Sequence, residues 1–217
     1  ELPDFILYIG DTIVSKRLRL FLRQATEAHT WRISPSGLVE DTFMNLRGII
    51  VGDPAFVLQS LSTKMSYHKK TPGMAYRRQW LKALTEASQH AQAYTPPYSQ
   101  MAAVKCFEEM ITQYFPLRKE QDETLEGDAH IHYANSSAIR MANIYARHPV
   151  WCNRGVNGIE GSLSTAAGFS IVAKQQDQPT FCVIGDLSFF YDQNALWNKE
   201  LGGNLRILLL NNGGRGI

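Results

Sequence analysis

Phe181-Cys182-Val183-Ile184-Gly185-Asp186-Leu187-Ser188 and, further on, Leu205-Arg206-Ile207-Leu208-Leu209-Leu210-Asn211-Asn212-Gly213-Gly214 decide how this chain is read. The two apolar runs, Phe181 to Ile184 and Leu205 to Leu210, are short and uncharged except at Arg206. Runs of that length and composition form strands buried on both faces, the signature of a parallel sheet. Each ends in a polar turn. Asp186 places a carboxylate at one strand end, and Asn212 places a carboxamide at the next, 26 positions on. Together with a nearby glycine carbonyl these are hard oxygen ligands. They suit Mg²⁺, which keeps its remaining positions for water and phosphate oxygens. The backbone amides of Leu187, Ser188 and Phe189 open the following helix, and a helix N-terminus favours a phosphate. A lone Gly-Asp pair is an ordinary strand-end turn. With the second turn at this spacing, the pair reads as a metal–diphosphate clamp.

Two stretches upstream point to the same edge. Asn153-Arg154-Gly155-Val156-Asn157-Gly158-Ile159-Glu160-Gly161 follows a short apolar run and opens a helix. That puts it at the carboxyl end of the sheet, where open α/β proteins bind ligands. Its glycines let backbone approach a ligand closely. Arg154 can offer a fork to a carboxylate or phosphate, or stand solvated on a tight turn. The glycine spacing is not that of a dinucleotide site. In Asn135-Ser136-Ser137-Ala138-Ile139-Arg140, Ser136 sits at a strand-to-helix turn with Arg140 one helical turn on, on the same face. The pair can hold an anion, or be a helix cap beside a surface arginine.

The rest of the chain supplies the frame. Strands are expected at Phe5 to Ile9, Thr30 to Ser34, Gly48 to Val51, Ala129 to Ala134 and Val150 to Cys152. Helices are expected at 12–25, from about Ala55, at 74–93 with Trp80, Leu81 and Leu84 on one face, at Met101 to Phe115, at Ser136 to Ala146 capped by Asn135 or Ser136, and from about Glu160 to Lys174. Residues 63–73 read as a basic loop. This alternation predicts two parallel-sheet α/β domains. Tyr94-Thr95-Pro96-Pro97-Tyr98 is the boundary, because paired prolines end a helix. The domains are therefore expected at 1–96 and 97–217. Gly10-Asp11 and Gly52-Asp53 lack an Asn-Asn partner and read as strand-end turns. His130 and His132 share a strand face. With no third ligand at metal spacing, they read as structural. Asp192 and Asn194 are expected to pack or cap locally.

The 217 residues carry 22 Lys+Arg against 20 Asp+Glu, a net charge of +2. That balance implies neither a nucleic-acid nor a membrane partner. Three scattered cysteines without a CxxC read as reduced thiols of a cytoplasmic protein. The chain opens on Glu1 and stops at Ile217, straight after the clamp turn, so sequence beyond both ends is expected.

Gly-Asp, two dozen residues, then Asn-Asn resembles the diphosphate-binding signature of thiamine diphosphate enzymes. Within these, Asn-Ser-x-x-x-Arg at 135–140, Asn-Arg-Gly-x-x-Gly-Ile-x-Gly at 153–161, Leu-Ser-Thr-Ala-Ala-Gly at 163–168, Gly-Asp-Leu-Ser-x-x-Tyr-Asp-x-Asn-Ala-Leu at 185–196 and Asn-Asn-Gly-Gly at 211–214 resemble the 2-succinyl-5-enolpyruvyl-6-hydroxy-3-cyclohexene-1-carboxylate synthases of menaquinone biosynthesis. Leu187 stands where most thiamine diphosphate enzymes have Gly, and Arg215-Gly216 departs from the expected continuation. Over 1–95 only the domain order corresponds: a central domain, then a diphosphate-binding domain truncated at its C-terminus.

The resemblance implies roles. Asp186, Asn212 and the Gly214 carbonyl would hold Mg²⁺ or Mn²⁺, and Gly185, Asp186, Leu187, Ser188 and Phe189 would cradle the diphosphate. Ile159 would support the bend of thiamine diphosphate. Ser136, Arg140 and Arg154 would bind carboxylates of 2-oxoglutarate, isochorismate or an intermediate, and Ile217 would lie near the second substrate. The cofactor-activating Glu of such enzymes comes from a separate pyrimidine-binding domain, across a homodimer or homotetramer. This chain shows no match to it, so it is expected to be inactive alone. Two other readings stay open: another thiamine diphosphate enzyme, of the acetolactate synthase or 2-oxoacid decarboxylase type, and a non-catalytic binding module.

Overall fold

A computed structural model describes residues 1–10, 13–66, 74–115 and 129–213. The chain divides into two compact units, Glu1–Ala87 and Ser88–Ile217. Each is built on a three-stranded, all-parallel sheet. The expected α/β class is therefore the observed one. Among the described residues no helix is long and apolar enough to cross a membrane.

In the first unit β1 (Phe5–Ile9), β2 (His29–Ser34) and β3 (Leu46–Val51) lie in chain order. Helix α1 (Lys16–Arg23) joins the first two and is shorter than the periodicity suggests. It starts only at Ser15, whose hydroxyl accepts from the Leu18 amide at 3.2 Å, the usual N-cap contact. The β2–β3 connection has no helix; Phe43 fills the space, edge-on to Tyr8 at 5.3 Å. Asp53 accepts from the Phe56 amide at 3.0 Å, so Gly52-Asp53 is the strand-end turn that caps α2 (Pro54–Ser66). That helix takes in residues 63–66, expected as loop; 67–73 lie outside the described residues, as does Asp11. In α3 (Met74–Ala93) Trp80 packs edge-on to Phe21. Leu81 and Leu84 are exposed, against the expected shared apolar face.

The second unit opens with α4 (Gln100–Tyr114), capped by Ser99. Its sheet runs β4 (His130–Tyr133), β5 (Thr180–Gly185), β6 (Leu205–Leu210). Both apolar runs that opened the reading are thus strands, side by side, with Gly185 opposite Leu210; β5 is buried as expected, but β6 is the edge of the described sheet and only its Leu210 is buried. Helices α5 (Ser137–Tyr145) and α6 (Ser162–Ala173) lie between β4 and β5, and α7 (Asp186–Asp192) follows β5. Helix α6 presents Leu163, Ala166, Ala167, Ser170 and Ala173 inward, the i, i+3, i+4, i+7 spacing of one helical face. Leu163 and Ala166 join Ala134, Cys182 and Ile184 in the core.

Three further expectations need correction in this unit. Val150 to Cys152 is not a strand. Only Trp151 bridges to His132, with Trp151 N donating to Ile131 O and Tyr133 N to Trp151 O. Pro149 supplies no donor before it, and Asn153 turns away after it. Helix α6 starts two residues later than expected, because Gly161 takes a left-handed φ of +78°. Asp192 caps a helix, but not locally. Its carboxylate accepts from the Ser164 amide at 2.6 Å and from the Ser164 hydroxyl, 28 residues away. It thereby supplies the cap that Gly161 cannot and ties α7 to α6.

Candidate functional site

In a parallel sheet every strand ends on the same edge. The carboxyl edge of the second sheet therefore gathers four chain segments: Cys152–Arg154 after the Trp151 bridge, Asn135–Ser136 after β4, Asp186 after β5, and Asn211–Gly213 after β6. At a strand spacing of ~4.8 Å these span roughly 15 Å.

Asp186 and the Asn211-Asn212 turn stand on neighbouring strands, as the clamp requires. Asp186 is half-buried and is the first residue of α7. One carboxylate oxygen accepts from the Leu187 amide at 2.8 Å. Thus one of the three amides expected to face a phosphate is engaged by the Asp186 carboxylate itself. Asn211 accepts from Gly213 N at 2.8 Å and shapes the second turn, leaving Asn212 exposed beyond it. Gly185 is open: a Cβ built there meets nothing within 4 Å. Ser188 is buried and Phe189 packs on the core; only their backbone faces are suited to a ligand. A carboxylate and a carboxamide on adjacent strand ends beside an open glycine are a donor set that fits a divalent cation and a diphosphate. Gly214 and Ile217 lie outside the described residues.

The second cluster is more tightly built. Asn135 is buried, 4% exposed. Its Nδ2 donates to Asn153 O at 2.8 Å and Gly158 O at 2.6 Å. Its Oδ1 accepts from Arg154 Nη1 at 2.9 Å and, more weakly, from Cys152 Sγ at 3.6 Å. Asn153 latches the far end of the same loop, donating to Gly161 O and Thr165 Oγ1. Arg154 is half-buried, and its Nε–H is shielded from water with no partner among the described residues. An anion seated on this loop would satisfy that donor. Burial pushes the Cys152 thiol above its ordinary pKa, against the opposing pull of Arg154. Ile159 is half-buried in the same loop, and Arg140 is exposed on α5.

The expected side-chain cap on α5 is absent: Ser136 holds the cap position but makes no capping bond, and Asn135 is committed to the loop. Ser136 instead has φ +69° and ψ −127°, a conformation that costs a non-glycine residue about 1–3 kcal/mol. Strain at the residue assigned to an anion has a measurable signature. Ser136→Gly removes the Cβ that causes it, at an entropic cost of about 0.5–1 kcal/mol. Ser136→Ala keeps the strain. The Gly variant should be more stable than the Ala variant by about 1 kcal/mol in urea unfolding, although both lose the hydroxyl. Equal midpoints would mean that the backbone there is unstrained.

His130 and His132 do share a face of β4. The His130 ring stacks on Phe169 (3.4 Å between centroids) and Trp151 (5.5 Å). His132 is 1% exposed, and neither ring nitrogen has a hydrogen-bond partner among the described residues. Among the described residues no three His, Cys, Asp or Glu side chains are grouped to hold a metal.

Sequence reasoning missed how Asn135, Asn153 and Asp192 are used. The only signal was a carboxamide standing directly after a buried strand.

Two parallel α/β units, the second with Asp186 and Asn211-Asn212 at the ends of neighbouring strands, define a fold of the thiamine diphosphate enzyme type. Curated relatives make the kinship specific. The chain is 41% identical over 217 residues to the 2-succinyl-5-enolpyruvyl-6-hydroxy-3-cyclohexene-1-carboxylate synthase of Bacteroides fragilis, covering 98% of this chain and 35% of that protein. It is 38% identical to the synthase of the same name from Bacteroides thetaiotaomicron (98% of this chain, 34% of that protein) and 34% identical to that of Phocaeicola vulgatus (98% and 34%). The chain is thus a relative of these synthases along almost its whole length, and it spans about a third of theirs. No family profile matches it.

Proposed function

We propose that this chain is the central and diphosphate-binding part, at 1–96 and 97–217, of a 2-succinyl-5-enolpyruvyl-6-hydroxy-3-cyclohexene-1-carboxylate synthase. Such an enzyme decarboxylates 2-oxoglutarate and joins the remaining four-carbon unit to isochorismate in menaquinone biosynthesis. The observation that carries the reading is one sheet edge that gathers Asp186, the Asn211-Asn212 turn and Arg154.

In this proposal Asp186, Asn212 and the Gly214 carbonyl hold Mg²⁺ or Mn²⁺. The backbone from Gly185 to Phe189 would receive the diphosphate, and Ile159 would support the cofactor. Thiamine diphosphate, when bound, supplies the electron sink for decarboxylation. The chain's own contribution is placement. Ser136, Arg140 and Arg154 bind and orient substrate carboxylates, and held reactants react far faster than free ones. Ile217 would lie beside the second substrate. The activating Glu would come from a pyrimidine-binding domain across a homodimer or homotetramer in the cytoplasm, leaving this chain inactive alone.

The test uses the full-length protein that carries this chain, with thiamine diphosphate and Mg²⁺. Supplied with 2-oxoglutarate and isochorismate, it should form the succinylated cyclohexene dicarboxylate, detected by mass. Asp186→Ala should cut the rate by more than about 100-fold, since even outer-shell partners of a metal are worth 10–100-fold. No product here, with carbon dioxide release from pyruvate, would move the protein to the acetolactate synthase or decarboxylase type. No turnover with either substrate would favour a binding module.

A further inference from the structure

We infer that Asn135 is the positioning residue of this site: one carboxamide that closes the Asn153–Gly158 loop and aims Arg154. The inference rests on the functional reading above for what Arg154 meets, but its geometry stands alone. A carboxamide has two N–H donors and two acceptor lone pairs. At Asn135 all four are used. The carbonyls of Asn153 and Gly158 can only accept, so both must face Nδ2, as they do at 2.8 and 2.6 Å. The Arg154 guanidinium can only donate, so it must face Oδ1, at 2.9 Å, with the Cys152 thiol on the remaining lone pair. The partners thus dictate the amide's orientation. They also disfavour its nearest substitutes. Asp would turn two acceptor oxygens toward two carbonyls. Leu has the shape and none of the bonds. Gln is one methylene too long for a buried position.

The consequence is mechanical. Asn153 and Gly158 bracket Arg154, and their carbonyls converge on a single NH₂ group. The loop cannot open, nor can Arg154 swing, without breaking the same junction. The Asn153 side chain anchors the next residues to Gly161 and Thr165 at the start of α6. That helix is in turn held to α7 by Asp192. Asn135 is therefore the point at which β4 registers the anion-facing loop against the strand ends that carry Asp186 and Asn212. It touches no substrate in this account; it acts through Arg154.

Hydrogen exchange on the full-length protein, without ligand, decides the matter. In Asn135→Asp and Asn135→Leu the amides of 153–161 should exchange about 10-fold faster or more, while β5 and β6 keep their protection. Asn135→Asp keeps an acceptor for Arg154, so it serves where Asn135→Leu fails to fold. In turnover, Asn135→Leu should raise KM for the carboxylate-bearing substrates about 10-fold, with a smaller change in kcat per folded site. A role confined to stability would lower the unfolding midpoint and the active fraction, with KM and the loop-to-sheet exchange contrast unchanged. That result overturns the inference. If the wild-type protein neither binds thiamine diphosphate nor turns over, the functional reading fails, and the exchange contrast still judges Asn135.

Discussion

Lowering the pH from 7 to 5 should cost the second unit several kcal/mol, through two histidines that make no catalytic contribution in this account. His130 and His132 are held well below the ordinary imidazole pKa of 6.5, each at about 4. Burial is the main cause for both, and for His130 the neighbouring His132 adds to it. Both are therefore neutral in the folded protein over a range in which the unfolded chain takes up protons. Stability falls as pH falls wherever the unfolded state binds more protons. The loss begins near 6.5, grows through the window down to about 4, and then levels off. It reaches about 2 kcal/mol per histidine at pH 5, against a typical total of 5–15 kcal/mol. His148 works on the other side. Burial opposes its charge, but hydrogen bonds to Glu108 and Pro149 and the Glu108 charge prevail and raise its pKa. The stability it contributes is present below the ordinary imidazole value and is lost as pH rises through the raised one. Urea unfolding at pH 7, 6 and 5 checks the acid limb. The double variant His130→Phe/His132→Leu should flatten it, since apolar rings and chains suit a site where the imidazole nitrogens go unpaired. A midpoint that stays constant from pH 7 to 5 in the wild type would refute the assignment.

Strand placement was legible in the sequence; how deeply each strand is buried and which polar partners it finds were less so. Phe181 to Ile184 and Leu205 to Leu210 read as strands because they are short apolar runs, uncharged except at Arg206, between polar turns, and they pair in the sheet; β5 is buried, while β6, at the edge of the described sheet, buries only Leu210. Turn chemistry was nearly as readable: Asp53 before Pro54 caps α2 as such a pair should. Readings failed where an element's fate depends on a neighbour. Val150 to Cys152 has strand composition but only Trp151 finds a partner. Helix α6 begins where Gly161 turns left-handed, and its cap arrives from Asp192 on another element. Asn135 next to Ser136 looked like one of two cap candidates, because local propensity ranks Asn and Ser alike at a helix start. Four partners 17 to 23 residues away outbid that use. That Asp186 and Asn211-Asn212 follow neighbouring strands was legible from spacing, since parallel strands bring distant strand ends to one edge whatever lies between.

Glu108→Ala should be the most damaging single substitution in the second unit outside the apolar core. Glu108 is 4% exposed on α4. One carboxylate oxygen accepts from the Tyr133 hydroxyl, and the other lies 2.7 Å from His148 Nε2. The opposite ring nitrogen, His148 Nδ1, lies 3.0 Å from the Pro149 carbonyl. Both nitrogens thus face atoms that only accept. A neutral imidazole carries a single N–H and would leave one acceptor against a lone pair; the doubly protonated ring satisfies both. The geometry and the raised pKa of His148 therefore agree on a buried ion pair, with Tyr133 bound to it and its own pKa pushed up, first by burial and then by Glu108. Such pairs add little net stability when intact, because desolvation offsets attraction, but breaking one strands the other charge. Ala at 108 leaves the His148 ring and the Tyr133 hydroxyl without their partner, at a cost of about 3–5 kcal/mol. Glu108→Gln keeps the shape and one acceptor for Tyr133. It should cost less, while moving the His148 titration downward, because burial is then opposed only by the Pro149 carbonyl. Urea unfolding of both variants, with the histidine titration followed by NMR, separates the two effects. If the His148 titration is unmoved in Glu108→Gln, the charge on that ring comes from elsewhere.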